Sequence, residues 1–268
     1  MITWFSRKKK HTVPSVKKDG DDFVSLSSHA LRSPLSIIKW YTEILLDGDA
    51  GPLTEDQRKY LMLIESSNQR AIDLVRSLLN VSRLDLGTFS ITPEEISINA
   101  IVNEAVNALS LEAKKKDVEI VQKEDVTIKN INADKHLCLL IFKQLLSNAV
   151  LFSKKGGDVT ISTASVTKSK KIDGVTIGEE SILITVTDKG IGIPEADKSK
   201  IFSKMFKASN VKDSQGAGSG LSLYIIKSVL EHSGGNIWFT STENVGTTFF
   251  VTLPTKGMIK KEGRTTLD

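Results

Sequence analysis

The sequence predicts an α+β fold: a helical hairpin that pairs into a dimeric four-helix bundle, then a mixed sheet with helices on one face. Three observations carry this. Two long stretches of helical periodicity come first, separated by a break containing Gly and Pro. After Gly87 the texture changes to short runs rich in Val, Ile, Thr and Phe. Those runs cluster after helical stretches instead of alternating strictly with them, which reads as a mixed sheet with helices on one face.

In chain order, residues 1–20 are a basic leader, expected to be disordered. The stretch 21–46 reads as the first helix, with Asp21 and Asp22 suited to the positive end of its dipole. On a helical wheel its apolar face holds Phe23, Leu26, Ala30, Leu31, Ile37, Ile38, Tyr41, Ile44 and Leu45. Asp47-Gly-Asp-Ala-Gly-Pro-Leu ends it. Thr54-Glu-Asp-Gln has the pattern of a capping box, and the second helix runs to about Leu86, stopping at Gly87. Leu61, Ile64, Ala71, Val75 and Leu78 follow a/d spacing, with polar Asn68 and Ser82 in the same seam. One hairpin offers these faces too little cover, so 21–87 is expected to form a homodimer.

Residues 88–255 form the second domain. Strands are expected at 89–91, 118–121, 126–131, 159–166, 181–187, 236–241 and 247–253, with helices at 99–116, 134–153 and 221–234. The polar stretch 167–180 reads as a loop, and 256–268 as a frayed tail.

Composition excludes several classes. With 268 residues, 40% hydrophobic and 25% charged, the chain is neither wholly disordered nor a disulfide scaffold. Its single cysteine, Cys138, points to a reducing compartment, the cytoplasm. No uninterrupted apolar run approaches the roughly 20 residues of a spanning helix. The net charge is +4, but residues 1–18 hold six cations and no acid, so the other 250 residues are net −2. A body of that charge is not a nucleic-acid binder. The leader is either a solvated arm or a peripheral contact with the anionic inner face of a membrane, Trp4 and Phe5 dipping in.

Few residues carry chemistry. His29 falls in the middle of the first helix's polar stripe with Ser25, Arg32, Ser36, Lys39 and Glu43, which predicts an exposed, nucleophilic imidazole. A surface histidine with no task fits the same pattern, but Pro34 should bend the helix just beyond it. Asp188-Lys-Gly-Ile-Gly-Ile-Pro follows a strand; its glycines permit close backbone approach, and the carboxylate can accept from an exocyclic amino group. Gly216-Ala-Gly-Ser-Gly-Leu-Ser-Leu opens a helix and could hold an anion. It lacks the Gly-Lys-Ser/Thr of a P-loop. Asn148, on the helix 134–153, offers a carbonyl suited to Mg²⁺ beside phosphates.

Taken in order, these segments resemble a sensor histidine kinase. Ser28-His-Ala-Leu-Arg-Ser-Pro-Leu resembles the phospho-accepting H box, 144–153 the N box and 188–194 the G1 box. Ile201-Phe-Ser-Lys-Met-Phe-Lys is similar to the F box, 218–223 to the G2 box, and Gly246-Thr-Thr-Phe to the closing strand motif. The resemblance implies a dimeric phosphoacceptor domain and an α/β-sandwich ATP-binding domain of the fold shared with DNA gyrase and MutL. It implies that His29 takes the γ-phosphoryl group of ATP and passes it to the aspartate of a response-regulator receiver domain. By match, Asn148 holds Mg²⁺ and Asp188 reads the adenine amino group. Gly190 and Gly192 shape the pocket, and 195–220 is a mobile lid with Gly218 and Gly220 at the phosphates. Lys207 takes the basic F-box place, and Thr247 supports the adenine end.

The chain departs from the family pattern at several places. Ala30 stands where an acid usually follows the histidine, Ser33 where Thr or Asn is usual, and Leu151 where a basic residue is usual. Gln144 replaces the first N-box Asn, and Ser222 is read as replacing a third lid glycine. Gln144 cannot act as a base, which argues against ATP hydrolysis as the main output. These departures leave a second reading open, a catalytically weak nucleotide-binding scaffold for a response regulator or partner kinase.

Overall fold

A computed structural model describes residues 17–211, 218–263 and 265–267, with side chains from Ala30 onward. The basic leader therefore lies outside the described residues except for its last four positions. Those are helical: α1 spans Lys17–Asp47, with Pro34 inside it. Helix α2 spans Glu55–Leu86. Its start is a capping box, Thr54 Oγ1 accepting from the Gln57 amide and Gln57 Oε1 accepting from the Thr54 amide. Its end is Gly87, in the left-handed region at φ 67°.

The hairpin packs through a different face of α1 than the wheel suggests. Thr42 is 4% exposed and Asn68 is 7% exposed. Asn68 Nδ2 donates to the Leu35 carbonyl at 2.9 Å, and Lys39 Nζ donates to Gln69 Oε1 at 3.3 Å. Leu31, Ile37, Ile38 and Tyr41, expected to be covered, remain 43–57% exposed in the single chain. The seam on α2 splits likewise. Asn68 turns inward toward α1, whereas Ile64 and Leu78 join Tyr60, Leu63 and Leu74 on an exposed apolar stripe. Each helix thus carries two seams, one of which a lone hairpin leaves open.

The second domain is built on a five-stranded sheet. Its strands are β2 (Glu119–Lys123), β4 (Asp158–Val166), β7 (Ser181–Asp188), β8 (Asn236–Thr242) and β9 (Gly246–Pro254). Their order is β2-β4-β7-β9-β8, with β2–β4 parallel and the other pairs antiparallel. Helices α3 (Ile98–Lys115), α4 (Lys135–Phe152) and α5 (Ser222–Ser233) join one contiguous core with the buried residues of the sheet. α4 has the length and hydropathy of a spanning helix, yet Leu137, Cys138, Ile141, Phe142, Leu145, Leu146, Ala149 and Val150 are buried in that core.

Four expectations need correction. The run 89–91 makes only isolated bridges; the strand there is β1 (Glu94–Ile96), paired with β3 (Ile131–Ala133). The expected strand 126–131 is mostly a turn, because the Asp125 carboxylate accepts from the amides of Thr127 and Ser165 and bends the chain. The loop 167–180 contains a hairpin, β5 (Lys171–Ile172) and β6 (Val175–Thr176), turned by Asp173 and Gly174 at φ 45° and 87°. Ile172 and Val175 pack on Val166, Ile177, Trp238 and Phe250. The tail is not frayed. Ile91 and Lys261 exchange backbone hydrogen bonds, the Ser90 amide donates to Thr265, and Met258 and Leu267 are buried. Two apolar anchors and a backbone ladder hold a segment that composition alone reads as polar.

Candidate functional site

One cavity collects most of the chemistry-bearing residues. It is lined by Asn148 of α4, Asp188 at the end of β7, Gly192, Lys207, Gly218, Gly220, Ser222 at the start of α5, and Thr247 of β9. Gly190 lies behind that lining. A Cβ on it would stand 2.2 Å from the Phe152 carbonyl oxygen and 2.7 Å from Asp188 Oδ1. Only glycine lets the chain pass between the end of α4 and the carboxylate. Gly192 has φ 62°, and a Cβ there would stand 2.1 Å from the Thr242 carbonyl oxygen. Gly218, by contrast, faces open space.

Asp188 is 7% exposed, and its Oδ1 accepts from the Gly190 amide at 2.8 Å. Burial raises its pKa above the usual carboxylate range, while the amides of Gly190 and Thr247 pull it back down. Register places Thr247 directly opposite Asp188, and the Thr247 hydroxyl is 2.8 Å from that of Ser241. The two share a hydrogen bond at the cavity wall.

The segment after β7 supplies the opposite wall. Asp197 Oδ2 accepts from the Ser209 amide and hydroxyl at 2.6 and 2.7 Å, closing Glu195–Lys200 onto Ser209–Val211. Ile193, Ile201, Phe206 and Val211 line the cavity with apolar surface. Of the expected lid 195–220, residues 212–217 lie outside the described residues.

Two wall residues, Asn210 and Ser222, make contacts that the local sequence does not show. Asn210 donates to the Gly192 carbonyl, leaving its buried Oδ1 without a partner among the described residues. Ser222, read from the sequence as standing where a third lid glycine is usual, lines the cavity. The alternating glycines 216, 218 and 220 precede it, and it opens α5 with its Oγ 2.7 Å from Gln144 Nε2. The alternation was visible in the sequence; the contact with Gln144 was not.

His29 lies in α1, of which no described side chain lines this cavity; its own side chain is outside the described residues. A polar link instead joins the hairpin to the sheet domain. Asp85 on α2 accepts from Tyr224 of α5 at 2.7 Å and from Lys204 at 2.5 Å.

The donor set fits a nucleotide. A buried acceptor, an orphaned carbonyl oxygen on Asn210, apolar walls and glycine-lined open space suit a flat base joined to an anion. Among the described residues no cluster of three or more His, Cys, Asp or Glu exists to hold a metal alone. A divalent cation here would need phosphate oxygens as well as Asn148.

Comparison with known proteins agrees with this geometry. Residues 21–87 match the His Kinase A phospho-acceptor domain, and 133–257 match the histidine kinase-, DNA gyrase B- and HSP90-like ATPase family. Sensor histidine kinase WalK of Bacillus subtilis (strain 168) is 32% identical over 235 residues, covering 88% of this chain and 36% of that protein. Circadian input-output histidine kinase CikA of Synechococcus elongatus is 29% identical over 252 residues, covering 92% and 32%. The chain thus spans about a third of these relatives. Full-length ShkA in complex with AMPPNP superposes with a TM-score of 0.68 at 22% identity, covering 90% of this chain and 47% of that one. Acinetobacter baumannii histidine kinase AdeS gives 0.57 at 17%, covering 85% and 98%. These structural likenesses show the fold. Because phospho-acceptor hairpin and ATPase-type sandwich occur in order on one chain, the protein belongs to the sensor histidine kinases of two-component systems.

Proposed function

We propose that this chain is the ATP-dependent kinase core of a two-component system. It autophosphorylates on His29 and passes the phosphoryl group to a response-regulator aspartate. The observation that carries the reading is the buried Asp188 carboxylate, aimed into a glycine-lined cavity on the same chain as a His-bearing helix.

In this reading Asp188 accepts from the adenine amino group, and the Ser241–Thr247 hydroxyl pair supports that end. Ile193, Ile201, Phe206 and Val211 exclude water from the base. The phosphates lie toward Gly218, Gly220 and the start of α5, where free N–H groups and the helix dipole meet them. Asn148 holds Mg²⁺, which when bound neutralises phosphate charge and orients the γ-phosphoryl group. An imidazole nitrogen of His29 bonds to the γ-phosphorus as the bond to the β–γ bridging oxygen breaks. ADP leaves, and the imidazole proton passes to solvent. A homodimer formed through the open stripe on α1 and α2 carries the histidines, and a receiver domain docks on that bundle.

The test is incubation with γ-labelled ATP and Mg²⁺. Acid-labile, alkali-stable label is expected on the chain and is lost in His29→Gln, with nucleotide binding retained. Label persisting in that variant, on His11, His136 or His232, rejects the assignment.

A further inference from the structure

Two residues that depart from the family pattern touch each other. Gln144 Nε2 donates to Ser222 Oγ at 2.7 Å, joining α4 to α5 across 78 positions of sequence. Gln144 precedes Asn148 by one helical turn, so both lie on the same face of α4. Ser222 is the first residue of α5 and lines the cavity.

The surroundings make this bond matter. The N-cap of α5 is Leu221, which has no side chain able to cap, so the first turn keeps its orphan amides for a ligand. The chain reaches α5 through Gly220, at φ 73° and too close to the Phe206 carbonyl for a Cβ. Leu221 anchors the turn from below at 1% exposure. Gln144 ties it from α4. Because the Gln144 N–H occupies a lone pair of Ser222 Oγ, the hydroxyl hydrogen remains available to a ligand in the cavity that Ser222 lines.

We infer that Gln144 is a positioning residue for the phosphate end of the site. It acts through Ser222, setting the first turn of α5 at a fixed distance from Asn148 and turning the serine hydroxyl into an additional donor to phosphate. The inference rests on the reading of the cavity as an ATP site. It gives Gln144 a task that needs no basicity, and it makes Gln144 and Ser222 one coupled unit.

The test is nucleotide binding by the full chain with Mg²⁺ present, AMPPNP followed by calorimetry and adenosine by ligand-observed NMR. Gln144→Ala and Ser222→Ala should each weaken AMPPNP roughly tenfold or more, the effect of one hydrogen bond to a charged ligand. Adenosine binding should not change. The double variant should be no weaker than the worse single one, because either change breaks the same unit. Ser222→Thr, which keeps the hydroxyl, should restore most of the AMPPNP affinity. Equal losses for adenosine and AMPPNP, additive losses, or unchanged affinity would overturn the inference and leave the nucleotide reading standing. A wild-type chain that binds adenosine and AMPPNP equally overturns it too. A wild-type chain that binds neither overturns both.

Discussion

Asp188 stores a conflict between folding and binding. Its carboxylate is buried, and burial raises its pKa against the pull of two amides. The folded state therefore keeps this proton to a higher pH than the unfolded chain. Stability from this group is present below the ordinary carboxylate pKa and declines as pH rises through the elevated one. Asp188→Asn should remove that slope and raise the melting temperature of the nucleotide-free protein at neutral pH, as thermal melts from pH 4 to 7 would read. The same variant should lose roughly tenfold or more in nucleotide affinity, since an unpaired buried polar group costs about 1–3 kcal/mol. Ala30 is the other residue with a sharp expectation. It is exposed in the single chain, so a longer side chain there meets no packed neighbour within the hairpin. A carboxylate beside His29 would hold the far imidazole nitrogen, and Ala30→Glu should speed autophosphorylation about tenfold in single-turnover assays. An unchanged rate, with ATP binding intact, would show that the missing acid does not limit this protein.

At the scale of elements, the hairpin is explained by its two seams. Asn68 and Thr42 are buried between α1 and α2, whereas Tyr60, Leu63, Ile64, Leu74 and Leu78 face outward at 44–62% exposure. A stripe of that size on one face calls for a partner helix pair. Leu74→Asp with Leu78→Asp should convert the full chain to monomers in sedimentation while the hairpin keeps its helicity. A double variant that stays dimeric would remove this stripe as the interface. The start of α2 gives a second check. The Thr54 hydroxyl caps the helix, so Thr54→Ala should cost about 1 kcal/mol in denaturant unfolding. The hairpin β5–β6 shows where the reading of elements fell short. Asp173-Gly174 between Ile172 and Val175 is a strong local turn signal, but the strands on either side are two residues long, too short for alternation to mark them in a polar stretch.

For the whole molecule, the tail adds a further tie between the two domains, which Val81 and Leu84 of α2 already join through the core. Lys261 Nζ donates to the Gly87 carbonyl and sits 3.7 Å from the Phe89 ring centroid, and Arg83 donates to the Thr266 carbonyl. Gly263 lies so close to the Phe89 backbone that a Cβ would stand 2.3 Å from it. The tail straps the connection between α2 and the sheet domain, beside the Asp85–Tyr224–Lys204 link. Truncation after Pro254 exposes Phe89 and Ile91 and removes Met258 and Leu267 from the core. At roughly 1.5–3 kcal/mol per buried side chain, it should lower the melting temperature by several degrees and speed hydrogen exchange in 87–93. Unchanged exchange there would mean the strap carries no load.

The sequence by itself determined the elements whose signals are local. Helical periodicity, the Thr54 capping box, the Gly87 stop and the glycines around Asp188 all act within a few residues, and each has its physical cause in the chain beside it. Residue type and place in the chain also made Asn148 and Asp188 candidates, whereas Lys207 and Thr247 were named only by the family resemblance. Tertiary structure alone decided that α1 meets α2 through Leu35, Lys39 and Thr42 and not through its most apolar face, since only the partner helix selects between faces. It decided that the polar tail packs, because Phe89 and Ile91 present the edge that receives it. It decided as well that Gln144 meets Ser222 and that Asn210 closes the cavity, contacts between segments far apart in sequence. Local propensity carries no information about such meetings; the crossing of α4 and α5 over the sheet creates them.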